Sequence, residues 1–239
     1  MRLDYNDYRR IAAEVTVLKS CVGLLLVCCF FPPLLQAQHT VYAGALGGVA
    51  TLAGDGRSIV TPSSAATSLF EPVNGGVASV FSGVQISNYV SLQGNYIWNR
   101  NGAMLVSSLS NPGVSSFYQQ PVSITQNTFS ADVLVYFRKR SSRIRPYLSE
   151  GGALVYVSTR VTRSPISQGS LPVPTATFAS TVPASRTSVG IDVRLRSGWY
   201  FRYTFGETIS HNPVSAQLSP PGKSLFKNFQ NLFGVFRTF

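Results

Sequence analysis

The chain has 239 residues, of which 44% are hydrophobic but only 12% are charged, and its formal net charge is +11. After residue 37 no apolar run approaches the roughly 20 residues that a membrane-spanning helix needs, which argues against a helical membrane protein. The low charge, together with 20 glycines, 11 tyrosines and 15 phenylalanines, favours strands in which apolar and polar residues alternate.

The first 37 residues resemble a targeting segment. Lys19 precedes an apolar stretch, Cys21–Leu35, and Ala37 is a small residue suited to the cleavage position. We expect a cleaved signal peptide at 1–37, with a translation start nearer residues 15–17, and a single mature domain at 38–239. All three cysteines fall inside the segment, which excludes disulfides and thiol catalysis from the mature domain.

The basic residues are scattered, except around one predicted turn. Arg138, Lys139, Arg140, Arg143 and Arg145 cluster there. A basic excess can indicate nucleic acid or anionic lipid as the partner. We interpret the cluster as a solvated turn near a membrane surface and expect no nucleic-acid binding.

Strand signals with a period of two recur along the mature domain. They predict eight strands, at about 40–52, 75–87, 89–100, 127–138, 144–159, 186–195, 199–207 and from after 224 to 239. Four long connections, 53–74, 101–126, 160–185 and 208–224, alternate with three short turns. Proline at 165, 172, 174 and 183 argues against a central strand in the third long connection. The pattern predicts an all-β, eight-stranded antiparallel up-and-down barrel that spans a membrane.

Alternation is clearest in the predicted strands 4, 6 and 7. In strand 4, apolar residues from Phe129 to Phe137 form one face, and the other face carries Ser130 and Asp132. A soluble lipocalin-like barrel also shows this alternation, with the apolar face turned inward. Aromatic residues near the predicted strand ends favour the membrane version, because such rings settle at the boundary between lipid and water; these are Trp98, Phe137, Tyr147, Trp199 and Tyr203.

The last residues resemble the insertion signal of the OmpA-like family of small bacterial outer-membrane barrels. Gly234 and the terminal aromatic Phe239 match that signal, whereas Leu232 and Arg237 depart from it. Residues 145–152, Arg-Pro-Tyr-Leu-Ser-Glu-Gly-Gly, are similar to the Pro-Tyr strand opening of the same family. The resemblance covers nearly all of 38–239. It implies a lumen packed with ion pairs, an outer-membrane location, and insertion by the barrel-assembly machinery.

Few ionisable residues lie in the predicted strands, and their spacing predicts a charge network in the lumen. If the hairpin of strands 4 and 5 is centred near Ser141, Asp132 and Glu150 face each other inside the barrel. If the next hairpin is centred near Ser197, Asp192 lies opposite Arg202. We therefore expect an internal network made of Asp132, Glu150, Asp192, Arg194 and Arg202, which would fill a bore that is already narrow in eight-stranded barrels.

Catalytic residues are not predicted. Paired carboxylates can perform acid and base catalysis, but that requires an accessible cleft. His211, with Ser210, Ser215 and Glu207, invites comparison with lipid A deacylases, but their His-any-Ser spacing is absent here. Glycine-rich phosphate loops and metal-ligand clusters are also absent from the sequence, so we expect neither a cofactor nor a metal.

The sequence thus predicts a monomeric integral outer-membrane barrel in contact with lipid and lipopolysaccharide. Its function would be structural, or the long loops would mediate adhesion or ligand contact. Two alternatives remain open at this point: a lipid-modifying outer-membrane enzyme of the deacylase kind, and a soluble lipocalin-like binding barrel.

Overall fold

A computed structural model describes residues 40–171, 177–222 and 225–239 of the chain. The predicted signal peptide and the early residues of the mature domain lie outside these ranges, as do Pro172 and Pro174. The described residues form eleven strands and one short 3-10 helix, Ser215–Gln217. The strands are β1 Thr40–Leu52, β2 Asp55–Thr61, β3 Ser64–Pro72, β4 Gly75–Gln85, β5 Val90–Asn111, β6 Val114–Tyr136, β7 Ile144–Val161, β8 Ile166–Gln168, β9 Thr177–Arg194, β10 Trp199–His211 and β11 Leu225–Thr238.

Eight of these strands close into a ring. The order around it is β1, β4, β5, β6, β7, β9, β10 and β11, and β11 pairs again with β1. Every pairing is antiparallel, so the predicted eight-stranded up-and-down barrel is confirmed. A closed ring leaves no exposed edge in the barrel wall. The three other strands lie at one end, where β2 and β3 extend the sheet beside β5 and β8 pairs with β6.

Three short connections lie together at the opposite end, which we call the turn end. One of them joins β9 to β10 through residues 195–198, and there Ser197 and Gly198 have φ of 51° and 80°. Leu195 N donates to Trp199 O at 2.9 Å and closes the turn. Glycine suits this left-handed conformation because it has no Cβ. The end with the long connections is called the mouth.

Two of the long connections at the mouth differ from the prediction, because they consist largely of strands. The predicted loop 101–126 is a hairpin in which β5 continues to Asn111 and β6 begins at Val114, and the two strands pair along their whole length. The predicted loop 53–74 contains β2 and β3. Short polar side chains on both faces concealed the period of two, and backbone pairing with the barrel wall extended the strands anyway.

Three prolines lie inside strands of the ring: Pro121, Pro146 and Pro183. The sequence analysis predicts that Pro183 lies outside any central strand. Each of the three lies just outside the range over which its strand has two paired neighbours. The pairing of β9 with β10 reaches only Ala184, and that of β6 with β7 begins at Val122, just after Pro121. Likewise, β7 pairs with β6 only from Tyr147, just after Pro146. At such positions the missing donor costs little.

The two faces of the barrel wall differ sharply. Outward side chains are mostly large and apolar, and they form what we call the apolar band; exposed members are Val80, Leu92, Phe129, Val133, Val135, Leu148, Leu154, Val189, Phe201, Phe205, Phe233 and Val235. Trp98 is outward near the mouth, and Phe137, Trp199 and Tyr203 are outward nearer the turn end. Tyr147 is a correction: it points into the lumen and is 3% exposed, because Leu148 takes the outward position.

Candidate functional site in the barrel lumen

The ion pair of Asp192 and Arg202 lies in the half of the lumen nearer the turn end. The two residues are direct cross-strand partners on β9 and β10. Arg202 donates from Nε to Asp192 Oδ1 at 2.6 Å and from Nη2 to Oδ2 at 2.8 Å. Its third nitrogen, Nη1, donates to Gln93 Oε1 at 2.6 Å. This bidentate arrangement satisfies a guanidinium group that is 1% exposed.

Aromatic rings surround the same guanidinium. Its Cζ lies 4.6 Å from the ring centroid of Phe236, 4.8 Å from that of Phe81 and 4.9 Å from that of Tyr147. The faces of such rings attract cations, and the effect grows as water is excluded. Arg202 and its rings therefore close the lumen at this level.

A second buried ion pair joins Asp132 to Arg186. Arg186 Nη1 and Asp132 Oδ2 are 2.5 Å apart, and Asn95 Nδ2 donates to the same carboxylate oxygen at 2.8 Å. The sequence analysis missed Arg186, because the predicted strand began at that residue. In the structure β9 begins at Thr177, which places Arg186 well inside the barrel. Arg186 lies an even number of residues from Ser188 and Asp192, so all three share one face of the strand. This spacing could have predicted that Arg186 points into the lumen.

Glu150 does not belong to the lumen, and its predicted place in the network is wrong. Asp132 lies opposite Gly151, whereas Glu150 lies opposite Val133 on the outward face. The predicted hairpin centre differs from the real one by half a residue, and a shift of one residue in pairing turns a side chain to the other face. Glu150 instead accepts hydrogen bonds from the hydroxyls of Thr187 and, at 3.4 Å, Ser185.

Arg194 also lies apart from the predicted network. It is half-buried at the turn end, where Nη2 donates to Arg140 O at 2.6 Å and Nε donates to Tyr200 Oη at 3.2 Å. Arg145, assigned from sequence to a solvated turn, is buried instead. Its Cζ lies 3.7 Å from the ring centroid of Tyr136. Both arginines therefore differ from their predicted positions, and Arg145 is the more buried of the two.

Amides fill the middle of the lumen. Asn228 Nδ2 donates to Gln126 Oε1 at 2.6 Å and to Asn99 Oδ1 at 3.1 Å, which links β11, β6 and β5 across the bore. Gln230 is fully buried beside this bridge on β11. Amide bridges of this kind connect opposite walls and leave little free cross-section.

The last long connection folds into the mouth and forms what we call the plug, residues 212–222. Val214 and Leu218 are buried in an apolar cluster with residues of the surrounding strands, among them Phe70 on β3 and Phe226 on β11. Asn212 Oδ1 accepts hydrogen bonds from the backbone N–H groups of residues 214 and 215, each at 3.0 Å. Hydrogen bonds from the strands at the mouth hold the plug. Ser68 Oγ donates to Pro220 O at 2.6 Å, Arg57 Nη1 donates to Pro221 O at 3.0 Å, and the backbone N–H of residue 219 donates to the hydroxyl of residue 107 at 3.4 Å.

The two residues of the predicted insertion signal lie on β11 and at its end. Gly234 faces inward, and a Cβ added there would lie 2.2 Å from Ala45 O on β1. Phe239 is 72% exposed, and its N–H donates to Val41 O at 2.9 Å. Gly234 thus permits close approach of the first and last strands, which is a packing reason for glycine at this position.

The residues of the deacylase comparison do not come together. Ser210 faces inward and His211 outward, as adjacent strand residues must. Ser215 is buried in the plug, and Glu207 pairs with Lys227 at 3.6 Å. Within the described ranges, no group of three His, Cys, Asp or Glu side chains could hold a metal ion. Among the same residues, none of the helical structure is long and apolar enough to cross a membrane.

Comparison with known proteins finds similarity to solved structures only. No protein-family model matches the chain, and no curated protein matches it. The chain is similar to the N-terminal β-barrel domain of Pseudomonas aeruginosa OprF, at 12% identity and a TM-score of 0.42, with 84% of this chain and 97% of that one covered. The chain is similar to Neisserial surface protein A at 12% identity and a TM-score of 0.45, and to the Escherichia coli outer membrane protease OmpT at 11% identity and a TM-score of 0.47. In both comparisons 84% of this chain and 97% of the other chain are covered.

Proposed function

We propose that this protein is an integral β-barrel of a bacterial outer membrane with a closed lumen. The observation that carries the proposal is the distribution of side chains: apolar residues cover the outside of a closed ring, while ion pairs and amides fill the inside. A soluble lipocalin-like barrel would need the reverse arrangement. The apolar band is the surface that acyl chains require.

The turn end would face the periplasm and the mouth the exterior. Short periplasmic turns and long external connections are the usual arrangement in such barrels. Both ends of the described barrel, Thr40 and Phe239, lie at the turn end. In this proposal a signal peptide exports the chain, and the barrel-assembly machinery inserts it from the periplasmic side as a monomer.

The function would be structural, with contacts made by the β-sheet at the mouth rather than by a pore. β2, β3, β8 and the outer parts of β5 and β6 form a hydrogen-bonded sheet beyond the apolar band. Paired strands present their side chains in a regular pattern, which favours recognition of another molecule over loop disorder. An enzymatic role as a lipid deacylase gains no support from the separated positions of His211 and the serines.

Membrane fractionation and heat modification of gel mobility test this proposal. The protein should fractionate with outer membranes, and unboiled samples should migrate differently from boiled samples because the closed barrel resists detergent. Planar bilayers containing the protein should show no conductance steps. Recovery of a monodisperse protein in buffer without detergent would contradict the membrane location, and a changed lipid A mass on overexpression would favour the enzyme instead.

A further inference from the structure

Two arginines lie on the outward face of the barrel just beyond its ring of aromatic residues near the mouth. We call Tyr96, Trp98, Phe129 and Tyr156 the outer aromatic ring. Arg100 follows Trp98 by two residues on β5, and Arg160 follows Tyr156 by four on β7, so both point outward and further towards the mouth. Both side chains are exposed. They therefore stand where the apolar band ends.

Strand register places Ser123 between these two arginines. Ser123 on β6 lies directly opposite Arg160, and Arg100 lies opposite Thr125, two residues away along β6. Arg100 Nε donates to Ser123 Oγ at 2.9 Å, which draws its guanidinium group towards the level of Arg160. Ser123 is only 8% exposed although it faces outward. The arginine from β5 is thus held in place before any ligand arrives.

The positive charge of this surface is not neutralised within the described part of the chain. The ion pairs found there join Arg186 to Asp132, Arg202 to Asp192 and Lys227 to Glu207, and none includes Arg100 or Arg160. Arg163 adds a third positive charge beyond the end of β7. The acidic residue on the adjoining outward surface is Glu71, opposite Met104 on β3, four residues along β5 from Arg100. Among the described residues, this part of the surface therefore carries three guanidinium groups and one carboxylate.

A groove continues from the arginines towards the mouth. Its volume is about 380 Å³, and its walls include Met104, Gln119, Pro121, Arg163 and Ile166. Met104 and Pro121 lie on the same outward faces as Arg100 and Ser123. At Gly102, between them, an added Cβ would meet nothing within 4 Å. The surface between the arginine pair and the groove is therefore open.

We propose that Arg100 and Arg160 bind a phosphate group of an outer-leaflet glycolipid, and that the groove accommodates part of its saccharide. Guanidinium groups bind phosphate oxygens through paired N–H donors, and they do so best where water is partly excluded. The phosphates of a lipid lie at the edge of the hydrocarbon region, which is the level of Arg100 beside the outer aromatic ring. Polar and apolar walls together suit a sugar ring. This inference rests on the proposed outer-membrane location.

Native mass spectrometry of the detergent-solubilised barrel tests the proposal with diphosphoryl lipid A as the probe. Replacement of either arginine, by Arg100→Gln or Arg160→Gln, should weaken binding by about tenfold, since each removes charge-assisted hydrogen bonds. Lys227→Gln is the matched control. It removes one positive charge from the outward surface of β11, on another side of the barrel, and should change binding by less than about twofold. Equal binding by all four proteins would overturn the proposal.

Three further probes identify the ligand chemistry. Dephosphorylated lipid A should bind no better than a neutral lipid, inorganic phosphate should compete only weakly, and phosphatidylglycerol should bind less tightly than diphosphoryl lipid A. Phosphatidylglycerol binding as tight as that of lipid A would overturn the glycolipid assignment. Gel mobility before and after heating shows that each variant is a folded barrel. A folded barrel that ignores lipid A refutes only this site, whereas a protein soluble without detergent refutes the membrane location itself.

Discussion

Arg202 is held by Asp192 across one strand pair, with both carboxylate oxygens engaged, in a lumen where neither residue meets solvent. Removing one partner would leave the other charged and buried, which costs about 3 to 5 kcal/mol. We therefore expect Arg202→Ala to lower the free energy of unfolding by that amount. Urea titration of the barrel in detergent, followed by gel mobility, measures it.

Arg194→Ala provides the control for this prediction. Arg194 is half-buried and binds a carbonyl and a phenol rather than a carboxylate, so its loss should cost about 1 kcal/mol or less. The double variant Asp192→Leu, Arg202→Met removes both charges and should be more stable than Arg202→Ala alone. Equal destabilisation by Arg202→Ala and Arg194→Ala would mean that the ion pair does not dominate.

The alternation of side chains was sufficient to predict the closed barrel, its eight strands and the opposition of Asp192 and Arg202. A period of two is set by backbone geometry and survives wherever one face meets the lumen and the other the apolar band. The tight turn at Ser197 and Gly198 then fixes the register of β9 and β10 without ambiguity. Here local signals were strong on both sides of the hairpin.

The connection between β6 and β7 offered no such signal, and the prediction failed there by a single residue. This connection, residues 137–143, is longer than the one between β9 and β10 and is mostly polar. The centre of the hairpin could therefore not be located to within half a residue. Glu150 was therefore assigned to the wrong face, and Arg186, the real partner of Asp132, was overlooked. The plug was also missed, because its burial depends on contacts between segments far apart in sequence.

Glu150 lies among apolar neighbours on the outward face, and we expect it to reduce the stability of the barrel. It is flanked by Leu148 along β7 and faces Val133 across the strand pair. A carboxylate at the lipid-facing surface is unfavourable, though less so than a basic side chain. We expect Glu150→Val to raise the free energy of unfolding by about 1 kcal/mol in lipid vesicles, as measured by urea titration.

Thr187→Val separates the charge from its hydrogen bonds. It removes the hydroxyl that donates to Glu150 while leaving the carboxylate in place. This variant should be less stable than the wild-type protein, whereas Glu150→Val should be more stable. A loss of stability in both would indicate that the hydrogen bonds outweigh the exposure of the carboxylate to lipid.

Three barriers close the lumen in series, and the middle one is the amide bridge centred on Asn228. The plug closes the mouth with Val214 and Leu218, and Arg202 with its aromatic rings closes the level nearer the turn end. We expect the paired substitution Val214→Ser, Leu218→Ser to produce no conductance steps in planar bilayers. Combination of those changes with both Asn228→Ala and Arg202→Ala should produce small steps, because only then are all three barriers weakened.

The single variant Arg202→Ala serves as the comparison and should remain closed. Gel mobility before and after heating shows whether each variant retains the folded barrel. Conductance of the plug variant alone would mean that the ring of aromatic side chains around Arg202 does not seal the bore. In that case the charge pair would stabilise the barrel without acting as a barrier.

Gly234 on β11 could serve strand packing or recognition during membrane insertion, and these two roles can be separated by experiment. A Cβ at Gly234 would lie 2.2 Å from Ala45 O and 2.9 Å from the Cα of Leu46, so the closure of β11 on β1 would have to open. We expect Gly234→Ala to reduce the yield of folded barrel both in cells and during refolding into detergent, where no assembly machinery is present. Gly94→Ala is the control, because an added Cβ there meets nothing within 4 Å.

Removal of Phe239 should behave differently. Its side chain is 72% exposed, and its only described backbone tie is the hydrogen bond from its N–H to Val41 O, so the purified chain without it should still refold in detergent. Assembly in cells should fail if the terminal aromatic residue is recognised during insertion. A deletion that assembles normally in cells would contradict that recognition, whereas a refolding defect shared with Gly234→Ala would give both residues the same role, closure of the seam between β1 and β11.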